Sequence, residues 1–183
     1  MRPVGFLREA KMPQETRQYR RNIVAIRVRT FVRGDLSELV PMQGQRPGAW
    51  DDEGFRRRLV KPGTDAYVAE RPNGHVVGFV VWREFKTRVH LLNFGVSRHW
   101  QRRGVGVQIF TKILSKLLTG RRLTMTANVP ERLLTAQQFL RSLGFRCVGT
   151  QRRYCADGSD ALRMQYSAEL AAGANRITPF LDD

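Results

Sequence analysis

The chain has 183 residues, 42% of them hydrophobic and 26% charged, and 32 Lys and Arg against 16 Asp and Glu give a formal charge of +16. That length suits one domain with a full core and is short for two. No apolar run approaches a membrane span, and the N-terminus lacks a signal peptide's apolar core and cleavage site, so a cytoplasmic protein without membrane contact is expected.

Cys147 and Cys155 are too few for a disulfide framework, and with His75, His90 and His99 scattered no metal-ligand spacing arises, so no metal site is expected. The positive charge is uneven. Residues 1–33 carry nine basic and two acidic residues, and residues 98–122 carry seven basic and no acidic ones. Such a field draws in phosphate-rich partners, and nucleic acid, a ribosome and a polyphosphate cofactor are all compatible with it. An arginine-rich chain with no nucleic-acid role fits equally well.

Residues 1–21 are polar, basic and aperiodic, and read as a poorly ordered arm. Ile23, Val24, Ile26, Val28 and Phe31 mark a β-rich segment, after which Gly34-Asp35 opens a short helix with Asp35 as N-cap and Leu36, Leu39 and Val40 as its apolar face. Gln43 to Gly48 is a break, and Asp51-Asp52-Glu53 ahead of Phe55, Leu59 and Val60 predicts a second helix with acidic residues at its positive end. Strands over 66–70 and 75–82 flank the turn Arg71-Pro72-Asn73-Gly74 and form a hairpin. Another strand, 89–96, follows the polar turn 83–88.

The order of strand, polar turn and helix at Val89–Leu118, with Gln101-Arg102-Arg103-Gly104-Val105-Gly106 at its centre, aims turn N–H groups and the positive helix end at one spot. Gly104 and Gly106 would let an anion approach the backbone, and Arg98, Arg102 and Arg103 add charge. The local chemistry is phosphate or pyrophosphate binding. Ile109, Phe110, Ile113, Leu114 and Leu117 form a buried helical stripe that Gly120 ends. A strand over 123–128 leads to Pro130 in the first turn of a helix whose Ala136, Phe139, Leu140 and Leu143 point inward, closed by Gly144. Short strands are expected at 145–149, 152–154 and 161–166, and residues 168–183 form a tail. The fold class is α+β, a central mixed sheet of six or seven strands with helices on both faces.

The order of elements and two motifs resemble the GCN5-related N-acetyltransferases, the GNAT fold, over residues 22–167. The Q/R-x-x-G-x-G/A signature after the fourth strand is met by Gln101 to Gly106, and the helix ending in a Gly-Phe pair by Ala136 to Phe145. Within that family, LLNFGVSRHWQRRGVG and VPERLLTAQQFLRSLGF look most like ribosomal-protein-alanine N-acetyltransferases, which act on a protein N-terminal α-amino group.

The resemblance implies acetyl-coenzyme A as co-substrate, its pyrophosphate held by Gln101, Arg102, Arg103, Gly104, Val105, Gly106 and Val107. It also implies a fourth strand splayed from its neighbour, with backbone groups of Phe94 and Val96 pairing with pantetheine and an N–H near Phe94 polarising the thioester. An amine attacks directly, so placement and proton transfer are what the protein supplies. The family's thiolate-protonating tyrosine position is Leu140, and its fifth-strand glutamate position is Asn128; neither residue can do that work. Counting back from the pyrophosphate motif puts His90 where histone-acetylating members carry a basic glutamate, and an imidazole suits proton acceptance near neutrality. Tyr154 and Tyr166 are candidate acids or substrate contacts, or ordinary strand tyrosines.

The reading is an N-acetyltransferase moving acetyl from acetyl-coenzyme A to an amine such as a protein N-terminus. The alternative is a catalytically weak module that binds acyl-coenzyme A, or a ribosome or nucleic acid through its basic surface. The acceptor groove is expected between residues 38–55 and 154–160, where Asp51, Asp52, Glu53 and Asp157 could attract a cationic amine.

Overall fold

The computed structural model describes residues 24–44, 49–119 and 124–167. The expected basic arm, the C-terminal tail and the helix stop at Gly120 lie outside them. Seven strands form one sheet: β1 (Arg27–Thr30), β2 (Thr64–Glu70), β3 (Val76–Glu84), β4 (Arg88–Val96), β5 (Thr124–Pro130), β6 (Arg146–Gln151) and β7 (Ala161–Ser167). Their spatial order is β1-β2-β3-β4-β5-β7-β6, antiparallel except for the parallel pair β4 and β5. A parallel pair needs a crossover, and helix α3 (Val105–Thr119) supplies it.

Each face of the sheet has its own core. On one side the stripe Ile109, Phe110, Ile113, Leu114 and Leu117 of α3, with Leu140 of α4 (Leu134–Ser142), packs on Val80, Trp82, Leu91, Met125, Ala127 and Met164. On the other, Leu36 and Leu39 of α1 (Leu36–Gln43) and Phe55 of α2 (Asp52–Leu59) cover Ala66, Val68, Phe79 and Val81. These helices reach only part of their face, so the far half of the sheet beyond β4 keeps polar side chains there. The alternation in β5 shows the division: Met125, Ala127 and Val129 are buried, and Thr124, Thr126 and Asn128 are half-buried.

Three local expectations are corrected. Asp35 does not cap α1: a 3-10 turn (Arg33–Asp35) precedes the helix, and the carboxylate instead accepts from Val32 N–H at 2.8 Å and from both terminal nitrogens of Arg29 at 2.8 Å. Pro130 ends β5 paired with Ala161 of β7 rather than opening a helix, and α4 starts four residues later. Residues 152–154 form a turn, not a strand, because β6 already ends at Gln151 opposite Ala161. The second helix is as expected, with Asp51 Oδ1 accepting from Gly54 N–H at 2.7 Å.

Candidate active site

The site begins with a register change in β4. Trp82 pairs with Leu91 but Val81 pairs with Asn93, so Leu92 is an extra residue in the strand. Leu92 and Asn93 consequently both turn toward α1 and α2, while Phe94 and Val96 return to the α3 side. Asn93 Nδ2 donates to Gln43 Oε1 at 2.7 Å, and Gln43 in turn holds Trp50 through both its amide atoms. This buried amide chain ties the bulge to the approach of α2.

The ladder between β4 and β5 stops at Leu91 and Ala127. Beyond it β4 continues with β3 to Val96, and β5 continues with β7 to Pro130, so the two strands diverge. Apolar residues line the cleft behind the divergence: Phe94, Val96, Ile109, Phe139 and Leu140, with the bare backbone of Gly106.

The turn after β4 ends in the same place. Arg102 (φ 60°) and Gly104 (φ 77°) are both left-handed, a spacing of the kind found in backbone turns whose N–H groups converge on an anion. Gly104 C=O accepts the first helical bond from Gln108 N at 3.1 Å, leaving the N–H groups of Val105, Gly106 and Val107 without intrahelical acceptors at the positive end of a 15-residue helix. Gln101 is used differently from a ligand: its Nε2 donates to Val96 C=O at 3.0 Å and latches the turn to the strand. Trp100 carries the guanidinium groups of Arg71 at 4.3 Å and Arg103 at 5.1 Å. A Cβ on Gly106 would stand 2.7 Å from Phe139 Cζ, so this glycine admits a ring of α4 as well as leaving the backbone bare.

His90 lies on the face opposite α3. Its Nδ1 is 2.8 Å from Thr126 Oγ1 on β5, and burial, followed by the charges of Arg88 and Arg163, pushes its pKa below the ordinary histidine value. A neutral imidazole with one nitrogen engaged by a hydroxyl has the other available as a base. Asn128, two residues further along β5 on the same face, donates Nδ2 to Gln151 Oε1 at 3.0 Å. Leu140 is 1% exposed and belongs to the core. Tyr166 also belongs there: its ring packs with Phe110 and Phe145, and burial raises its pKa. Tyr154, 44% exposed, stands in the turn after β6 instead of on a strand.

The carboxylates expected to attract an amine are engaged locally. Asp51 caps α2, Asp52 pairs with Arg56, and Asp157 accepts from Ser159 and faces Arg132 at 3.6 Å. Among the described residues no His, Cys, Asp and Glu side chains gather into a metal-binding group, and no helix is long and apolar enough to cross a membrane. Thr126 and the extra residue Leu92 carried no signal in the sequence, since both depend on strand pairing. The cationic neighbours of His90 were readable only once the strand faces were known.

Residues 45–168 match the family described as an acetyltransferase (GNAT) domain. No curated protein is significantly similar in sequence. Among solved structures, Ard1 from Thermoplasma volcanium superposes with a TM-score of 0.71 at 22% identity, covering 79% of this chain and 98% of that one. The ribosomal-protein-S18-alanine N-acetyltransferase from Escherichia coli gives 0.67 at 20%, covering 78% and 94%. Arabidopsis thaliana NAA60, solved with acetyl-CoA, gives 0.67 at 17%, covering 79% and 99%. At these identities the structural likeness is one of fold. The family match spans more than half of the chain, and the chain therefore belongs to the GNAT acetyltransferases, enzymes that take the acetyl group from acetyl-coenzyme A.

Proposed function

We propose that this enzyme acetylates an α-amino group, such as a protein or peptide N-terminus, by direct attack on acetyl-coenzyme A. The observation that carries the reading is the divergence of β4 from β5 after Leu91 and Ala127, immediately ahead of a left-handed turn at the positive end of α3. The turn from Gln101 to Val107 holds the pyrophosphate through backbone N–H groups, Arg102 and Arg103 add charge, and Gln101 keeps the turn in place. Pantetheine follows β4 past Val96 to Phe94, where a backbone N–H faces the thioester oxygen and stabilises charge as the amine adds.

His90 serves as base. Nδ1–H donating to Thr126 leaves the Nε2 lone pair to take the amine proton, directly or through one water. The C–N bond forms, the C–S bond breaks, and the electron pair leaves on the coenzyme A thiolate. Leu140 cannot protonate that thiolate, so the proton comes from water or from Tyr154.

The test is thiol release from acetyl-coenzyme A with a panel of amines and N-terminal peptides. Turnover that His90→Gln lowers by about 10²-fold supports the assignment, in line with the usual contribution of a positioned base. Thermal stabilisation by acetyl-coenzyme A with no turnover on the panel would establish a binding module instead.

A further inference from the structure

On the face that bears His90, the charged side chains of β3, β4, β5, β7 and β6 are all cationic, while Glu70 on β2 is paired with Arg29 at the far end of the sheet. Strand pairing places Arg83 directly opposite His90, Arg88 two residues before it, Arg163 opposite Asn128, and Arg146 opposite Gln165, all on the same side as Thr126. Among the described residues of β3, β4, β5, β7 and β6, no Asp or Glu points to this side. The acidic residues of the neighbouring strands, Asp65 and Glu84, reach Lys116 of α3 on the opposite face.

The loops at the rim do not reverse this. Asp51, Asp52 and Asp157 have the local partners given above, Asp160 accepts from Arg153 N–H at 2.8 Å, and Glu53 in the first turn of α2 and Glu131 just after β5 are the solvent-exposed carboxylates that remain. Arg83 and Arg88 lie over the Phe85 ring at 5.5 and 4.6 Å. Arg163 is exposed, and among the described residues no carboxylate pairs with it. It is also the arginine level with the point where β4 and β5 part, since Asn128 is the next residue after the last β4–β5 pair.

A polycation or a lysine-rich acceptor would enter this site against several like charges and would find few free carboxylates. An amine with a carboxylate close by meets the opposite situation, because its ammonium loses its proton to His90 while its carboxylate gains a bidentate partner. We propose that the acceptor carries a carboxylate beside the reacting amine, and that Arg163 receives it. The inference rests on the acceptor approaching the His90 face, as set out under the proposed function. An acidic peptide N-terminus and a free amino acid share that chemistry.

The experiment compares acceptors with the full-length protein and acetyl-coenzyme A: peptides beginning Ala-Glu or Ala-Lys, free glutamate and alanine, and spermidine. The expected result is a preference of about tenfold or more in kcat/KM for the acidic peptide or the amino acids over the lysine peptide and spermidine. Which of the two acidic classes turns over identifies the source of the carboxylate. Arg163→Glu should invert the ratio through KM, and Arg163→Lys should retain part of it, with the acetyl-coenzyme A Kd unchanged in both. Equal rates on acidic and basic acceptors, or an unaltered ratio in Arg163→Glu, overturns the proposal. Bound acetyl-coenzyme A with no turnover on any acceptor would overturn the transferase reading itself, and this proposal with it.

Discussion

Replacing Gly106 with alanine separates two jobs that one glycine could perform. The added methyl would lie 2.7 Å from Phe139 Cζ and 3.0 Å from Cε2, against an ordinary carbon contact of about 3.5–4.0 Å, a shortfall near 1 Å. The ring cannot swing away freely, because it also packs on Phe94 with centroids 5.6 Å apart. Overpacking of this kind costs about 1–3 kcal/mol, and the better helix propensity of alanine returns at most about 1 kcal/mol. A net loss of about 1–2 kcal/mol is expected, read as a Tm lowered by about 2–4 °C per kcal/mol in a chain of this size. Thermal denaturation of Gly106→Ala, Phe139→Leu and the double variant provides the assay. If the contact is the cause, alanine at 106 costs much less once Leu replaces the ring, a coupling of about 1 kcal/mol. An equal loss in both backgrounds would refute the packing argument. Titration with acetyl-coenzyme A completes the comparison: a fall in affinity in both backgrounds would assign the glycine to the cofactor rather than to α4.

Asp35→Asn should remove about 1–3 kcal/mol of stability, because it weakens the charged hydrogen bonds from the half-buried Arg29 guanidinium, which keeps Glu70 as its remaining charged partner. Burial works against the Asp35 charge, but the bonds from Arg29 and from Val32 N–H outweigh it and hold the pKa below the ordinary value of 3.8. Its contribution is thus full above that value and lost as pH falls through the lower folded one, and denaturant melts between pH 2 and 5 should show a wild-type slope that Asp35→Asn flattens. For His90 the folded pKa is lowered from 6.5, so the acidic limb of kcat/KM should fall below that pH and vanish in His90→Gln. A limb that persists in that variant would assign it to another group. Thr126→Val should lower kcat while Thr126→Ser retains it, since only the hydroxyl fixes the imidazole.

Much of the fold was legible in the chain because local rules governed those parts. The stripe from Ile109 to Leu117, the turn Arg71–Gly74, the Asp51 cap and the glycine turn at 101–106 each depend on residues within a few positions of one another. The family signature lay in the same kind of local pattern. What failed did so where a distant partner outbid the local choice: Asp35 turned from capping to Arg29, and 152–154 was left outside a strand whose register had closed at Gln151. Neither the extra residue at Leu92 nor the end of the β4–β5 ladder has a sequence mark, because both are properties of pairing between strands. The sequence by itself determined that a glycine turn would open α3, where we propose the anion is held, since turn and helix dipole are adjacent along the chain. Only the tertiary structure decided what surrounds His90: it set the imidazole against Thr126 and gathered arginines from β3, β4, β7 and β6 onto one face, because strand order brings together residues that the chain keeps far apart.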